Sequence, residues 1–119
     1  MNDARLPELL EQRRRDDGAW LLRLRVPPQL PHFAGHFPGA PVLPGVLQVQ
    51  WALALAAPRL GLAPRCREME ALKFQRLLRP GDEAELELRL DAARGKLHFA
   101  YRADGRSCSS GRLRVEAAA

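Results

Sequence analysis

The stretch that most limits the fold is 44–57, "PGVLQVQWALALAA", a helical segment apolar on nearly every side. Pro44 sits where helices tolerate proline, in the first turn, because its missing N–H would have no partner there. Val46, Leu47, Val49, Trp51, Ala52, Leu53, Leu55 and the alanines around them leave no polar face, so the segment belongs inside a fold rather than on its surface. Pro58 and Gly61 are expected to stop it. Gln48 and Gln50 are the only polar side chains on its first three turns, and a glutamine in so apolar a helix needs a reason.

The flanking sequence is expected to supply the sheet that covers this helix. From Ala19 to Val26 the pattern has period two: Trp20, Leu22, Leu24 and Val26 on one face, Arg23 and Arg25 on the other. Pro27, Pro28 and Pro31 end that strand and lead into a loop with His32 and His36. After the helix, 68–78 reads as a strand before an "RPGD" turn, and 84–90 alternates with Leu86, Leu88 and Leu90 inward. In "KLHFAY" Leu97, Phe99 and Tyr101 face in and His98 faces out to solvent. Asp104-Gly105 is a hairpin turn in which both residues can take positive φ. Leu113 and Val115 then oppose Arg112, Arg114 and Glu116 on the last strand. Leu6, Leu9 and Leu10 have helical spacing and predict a short amphipathic helix over 6–13. One strand, a buried helix and a four-strand antiparallel meander make an α+β domain in which the sheet wraps the helix, a hotdog arrangement. At 119 residues the chain fits a single domain, 1–119, with an N-terminal segment 1–18 and a core 19–116. Pairing two copies would cover the edge strand and the helix, so a dimer is expected.

Charge and composition narrow the function. Nineteen Lys+Arg against fourteen Asp+Glu give +5, a balance that favours an acidic partner. Asp16 and Asp17 follow Arg13-Arg14-Arg15 at once, and no aromatic interleaving supports nucleic-acid binding. No apolar run reaches the ~18 residues of a membrane span, and the mixed-charge start has no secretory core, so the expected location is cytoplasmic. Cys66 and Cys108 lack CxxC spacing or a nearby His cluster and read as reduced thiols.

"GHFPGAPVLPGVLQVQWA" at 35–52 closely resembles the HFPGxPVxPGVLxxE/DA motif of hotdog-fold 3-hydroxyacyl-acyl-carrier-protein dehydratases of the FabZ/FabA type. "KFQRLLRPGDEAELELRL" and "ADGRSCSSGRLRV" look like the family's sheet, with its PGD turn and DG hairpin, so the likeness covers about 19–116. "VLQVQWA", with Gln48 and Trp51, is more like the short dehydratases of aryl-polyene and pigment pathways. The resemblance implies that His36 is the catalytic histidine, that the Gly45 N–H holds the thioester carbonyl, and that the Val42 carbonyl orients the imidazole. It also implies substrate contact at Phe37, Gly39 and Val46. It implies a homodimer or a heterodimer with a related subunit, an acyl carrier protein as partner, and no metal or redox cofactor. The thioester rides on the carrier's phosphopantetheine arm, or on coenzyme A.

The departure is Gln50, which stands where the family has Glu or Asp. His36, with a reference pKa of ~6.5, can take the α-proton near neutral pH. An amide cannot transfer a proton, but it can orient a hydroxyl or water. Three readings follow: a dehydratase using His36 with Gln50 as hydrogen-bonding orienter; a weak or inactive subunit acting as heterodimer partner or carrier-binding accessory; and a hotdog acyl thioesterase. Glu68 and Glu70 are the nearest downstream carboxylates, and Lys73 and Arg76 are candidates to meet a phosphopantetheine phosphate.

Overall fold

The structure, a computed structural model, describes residues 6–30, 39 and 41–119. Six strands and one helix follow in the order β1 (Glu8–Arg14), β2 (Trp20–Arg25), α1 (Gly45–Leu60), β3 (Leu62–Phe74), β4 (Glu83–Asp91), β5 (Lys96–Ala103) and β6 (Arg106–Ala117). They form one antiparallel sheet in the order β1-β2-β4-β5-β6-β3. The concave face receives Leu22, Leu24, Leu86, Leu88, Leu97, Phe99, Tyr101 and Leu113, all buried, and these meet Leu47, Trp51, Ala52 and Ala56 of α1. Each is an alternate residue of its strand, which is the period-two pattern read from the sequence. The α+β hotdog arrangement is therefore present.

Five expectations need correction. Residues 6–13 are not a helix: Glu8–Arg14 is an edge strand paired with β2. Its Glu8 and Glu11 carboxylates accept from Arg25 and Arg23 of β2, cross-strand partners that a free helix would lack. The last four strands are not a simple meander either. Only β4, β5 and β6 run consecutively, while β3 adds on the far side of β6 and β2 inserts beside β4. β3 begins at Leu62, not 68, and ends at Phe74, not 78. Pro58 lies inside α1, and the stop is Gly61 alone, left-handed at φ +67 with its N–H on the Ala57 carbonyl.

The fifth concerns the outer side of α1. Its inward face is buried, but Val46, Gln50, Ala54 and Pro58, each four residues from the last, form one exposed stripe. Helical periodicity places such residues on one side. A single sheet covers only one side of a helix, so an all-round apolar sequence leaves its other side open. The Asp104-Gly105 hairpin matches expectation, with φ +52 and +72.

Candidate functional site

The segment from Val42 to Gln50 is anchored from both sides. The Leu43 N–H donates to the Leu78 carbonyl at 2.7 Å, tying the approach to α1 to the segment after β3. Gln48 is the buried glutamine. Its Nε2 donates to the Leu43 carbonyl at 3.3 Å, and its Oε1 accepts from Ser109 Oγ of β6 at 2.6 Å. Its backbone carbonyl accepts from the Tyr101 hydroxyl of β5 at 2.7 Å. Full burial raises the Tyr101 phenol far above its ordinary pKa, so it stays a donor.

α1 starts at Gly45, after Pro44 in extended conformation, with no side-chain cap. The Leu47 and Gln48 N–H groups already reach the Pro44 carbonyl, at 3.1 and 3.2 Å. The N–H groups of Gly45 and Val46 precede any intrahelical acceptor, and the positive end of the helix dipole lies there. This is an oxyanion-binding arrangement built from backbone. A Cβ on Gly45 would come within 2.8 Å of the Phe74 ring of β3, so glycine is what lets that ring close over the helix start.

Of the sequence-predicted site residues, Val42 is buried beside this helix start, and Gly39 is left-handed at φ +78. Val46 and Gln50 lie one helical turn apart on the exposed stripe. The question that the sequence raised about a buried Gln50 is thus resolved differently: Gln48 is the internal amide, and Gln50 faces outward from the single chain. His36, Phe37 and His32 lie outside the described residues.

The remaining candidates separate by face. Glu68 and Glu70 point away from α1 and are ion-paired, Glu68 with Arg114 at 2.8 Å and Glu70 with Lys96 at 2.7 Å. Lys73 shares that outer face, opposite Ser110 of β6, so it is not beside the helix. Arg76 lines a cleft of about 990 Å³ with Arg79, Arg106 and Asp104, next to the segment that holds Leu43. Sequence reading missed Arg79, three residues on in the turn after β3, and Arg106, which joins them from the start of β6. Arg15, which carried the basic run, is paired with Asp17 and Glu87, at 2.8 and 2.9 Å. Cys66 and Cys108 are free thiols, and burial pushes the Cys108 thiol up.

A sheet curled around one helix, with free backbone N–H groups at the helix start, is the hotdog architecture. Residues 11–112 match the ApeI dehydratase family, and the chain belongs to that ApeI-like family. Among solved structures, it is similar to the dehydratase heterocomplex ApeI:P from Xenorhabdus doucetiae, with TM-score 0.82, 30% identity, and 92% of this chain and 96% of that one covered. A protein from Erwinia carotovora subsp. atroseptica matches with TM-score 0.81 and 33% identity, over 93% and 96% of the two chains. The 3-hydroxyacyl-acyl-carrier-protein dehydratase FabZ of Jannaschia sp. is 36% identical over 72% of this chain and 58% of its own. That of Oenococcus oeni is 38% identical over 66% and 64%. The chain therefore spans under two thirds of the length of these curated relatives. The dehydratase domain of PpsC from Mycobacterium tuberculosis, 19% identical with TM-score 0.64, shares the fold.

Proposed function

We propose that this chain dehydrates a 3-hydroxyacyl thioester, carried on an acyl carrier protein in the cytoplasm, to the trans-2-enoyl thioester. The observation that carries the reading is the uncapped start of α1 at Gly45, the last residue of "HFPGAPVLPG", in a member of a dehydratase family. His36 takes the α-proton, and the electron pair left behind enters the forming double bond. Charge gathers meanwhile on the thioester oxygen, where the Gly45 N–H and the helix dipole meet it. The β-hydroxyl leaves as water after accepting the proton that His36 returns, so the net step gains or loses no proton. Gln50 orients that hydroxyl as a hydrogen-bond donor and acceptor. Val42 supplies a carbonyl to the imidazole, while Phe37, Gly39 and Val46 border the acyl thioester. Proton transfer and an oxyanion site suffice for this chemistry, so no resident cofactor is required.

The site takes its full form in a dimer. Met69, Leu72 and Phe74 lie on the concave face of edge strand β3 yet stay exposed, Phe74 at 51% and Met69 at 50%. Val46, at 60%, adds to them from the α1 stripe that also presents Gln50. A second hotdog subunit laid against this surface would bury the patch and bring Gln50 toward the partner's His36. The other sheet edge, β1, is charged and unsuited to such pairing. The Arg76, Arg79 and Arg106 cleft is the place we assign to the carrier's phosphopantetheine phosphate.

A second reading has its own support, because an amide at position 50 cannot act as an acid and a structural relative is a heterocomplex. In it, this chain is the half of a heterodimer whose partner brings the carboxylate. Hydration of a 2-enoyl thioester, followed as loss of enoyl absorbance with simultaneous thiol detection, separates the readings. Wild-type turnover lost in His36→Ala is the expected result and establishes a dehydratase without a helix carboxylate. Silence from wild type with activity gained in Gln50→Glu would favour the heterodimer. Thiol release would replace both with hydrolysis.

A further inference from the structure

The outer face of the sheet, turned away from α1, carries a cross-strand row in which Arg89 of β4 stands opposite His98 of β5, and His98 opposite Arg112 of β6. Arg112 stands in turn opposite Glu70 of β3. Two residues along, Glu87, Ala100, Ser110 and Lys73 form the next row. The small side chains of Ala100 and Ser110 leave a cleft of about 310 Å³ between the longer ones. That volume is at the lower end of the ~300–1,000 Å³ typical of small-molecule sites.

The β3 side of the cleft is shaped by a bulge. Between Glu70 and Lys73 the strand takes three steps where β6, from Arg112 to Ser110, takes two. Ala71, at the bulge, has φ +52, a conformation that a non-glycine residue rarely holds. The extra residue returns Lys73 to the outer face over Ser110.

The charges there do not balance. Glu87 is committed to Arg15 at 2.9 Å, and Glu70 to Lys96 at 2.7 Å. Arg112 Nε lies 3.3 Å from Glu70 but outside hydrogen-bond geometry, which leaves that buried N–H without an acceptor. Among the described residues, Arg89 and Lys73 have no ion-pair partner. The groups around His98 are Arg89 and Asp91 of β4, Lys96 of its own strand and Arg112 of β6. Burial and then the two arginines hold the imidazole below its ordinary pKa, so at neutral pH it offers one N–H and no charge.

We propose that this cleft is a second ligand site, which binds a phosphate-type oxyanion between Lys73, Arg89, His98 and Arg112. The anion engages the two unpaired cations and the exposed part of the Arg112 guanidinium, and planar guanidinium forks suit its oxygens. The site is independent of the dehydratase reading: it lies across the sheet from α1, and its test does not use turnover.

The test follows the His98 imidazole proton resonance, identified by its loss in His98→Gln, through a pH titration of the full chain. Titrations run with inorganic phosphate, pyrophosphate or adenosine 3′,5′-bisphosphate, each against sodium chloride at matched ionic strength. Bound anion is expected to raise the His98 pKa, and by linkage to bind more tightly as pH falls. Arg89→Gln and Lys73→Gln, which break no ion pair, should each weaken binding about tenfold or more. Preference for pyrophosphate would mark a free polyphosphate as the ligand, and preference for the bisphosphate a nucleotide-borne one. A response equal to chloride, no saturable binding of any of the three, or wild-type affinity in both variants would overturn the proposal.

Discussion

Gln48 does more for the architecture of the site than any other polar residue of α1. Its amide joins the loop before the helix to β6, and its backbone carbonyl receives β5 through Tyr101. Replacing it with leucine keeps the bulk but strands the Leu43 carbonyl and the Ser109 hydroxyl in a buried environment. The expected cost is about 1–3 kcal/mol, read from urea unfolding. Ser109→Ala should overlap with it, so that the double variant loses less than the sum, with a coupling of about 0.5 kcal/mol or more. Full additivity would mean that the Ser109–Gln48 bond contributes nothing. In the sequence Gln48 and Gln50 looked alike, because a helix apolar all round has no direction from which to tell the inner amide from the outer one.

At the scale of elements, β1 shows how charge places a strand. Arg23 and Arg25 of β2 reach Glu11 and Glu8 on one side and Glu83 of β4 on the other, at 2.5 to 3.0 Å. The ladder spans three strands on the outer face, where each pair is screened by water and only the network has weight. Arg25 first and Arg23 second hold the Glu83 carboxyl below the usual carboxylate range. A carboxyl whose pKa is lower when folded stabilises the fold above its unfolded pKa, about 4.3 for Glu. That contribution is lost as pH falls through the folded value. Glu83→Gln should therefore lower the melting temperature at pH 7, by a deficit that shrinks as the pH falls below about 4. A deficit that persists in acid would assign the effect to packing. Leu6, Leu9 and Leu10 suggested a helix in this region, but local spacing cannot register partners on β2 that are 12 and 17 residues away.

For the whole molecule, the two sheet edges differ in kind. β1 ends the sheet with charged side chains, while β3 ends it with Met69, Leu72 and Phe74 on its concave face beside the open stripe of α1. If this is where a second copy sits, introducing charge there should separate the subunits. The double variant Val46→Glu, Phe74→Glu is expected to elute as a monomer by light scattering, where wild type elutes as a dimer. It should also lose enoyl thioester hydration, since Gln50 would no longer meet a partner. A double variant with wild-type mass would place the interface elsewhere.

The sequence by itself determined the strands of the core, the central helix and the Asp104-Gly105 turn, because these follow from periodicity and local backbone preference. The motif at 35–52 likewise carried the family, through the joint wording of its HFPG and PGV elements. Strand order, the placing of β3 beyond β6, the inward turn of Gln48 and the outward turn of Gln50 were decided only by tertiary structure. So was the gathering of Lys73, Arg89, His98 and Arg112 from four strands onto one face. Each of these depends on which distant segment pairs with which, and long-range pairing leaves no mark on the spacing of neighbours in the chain.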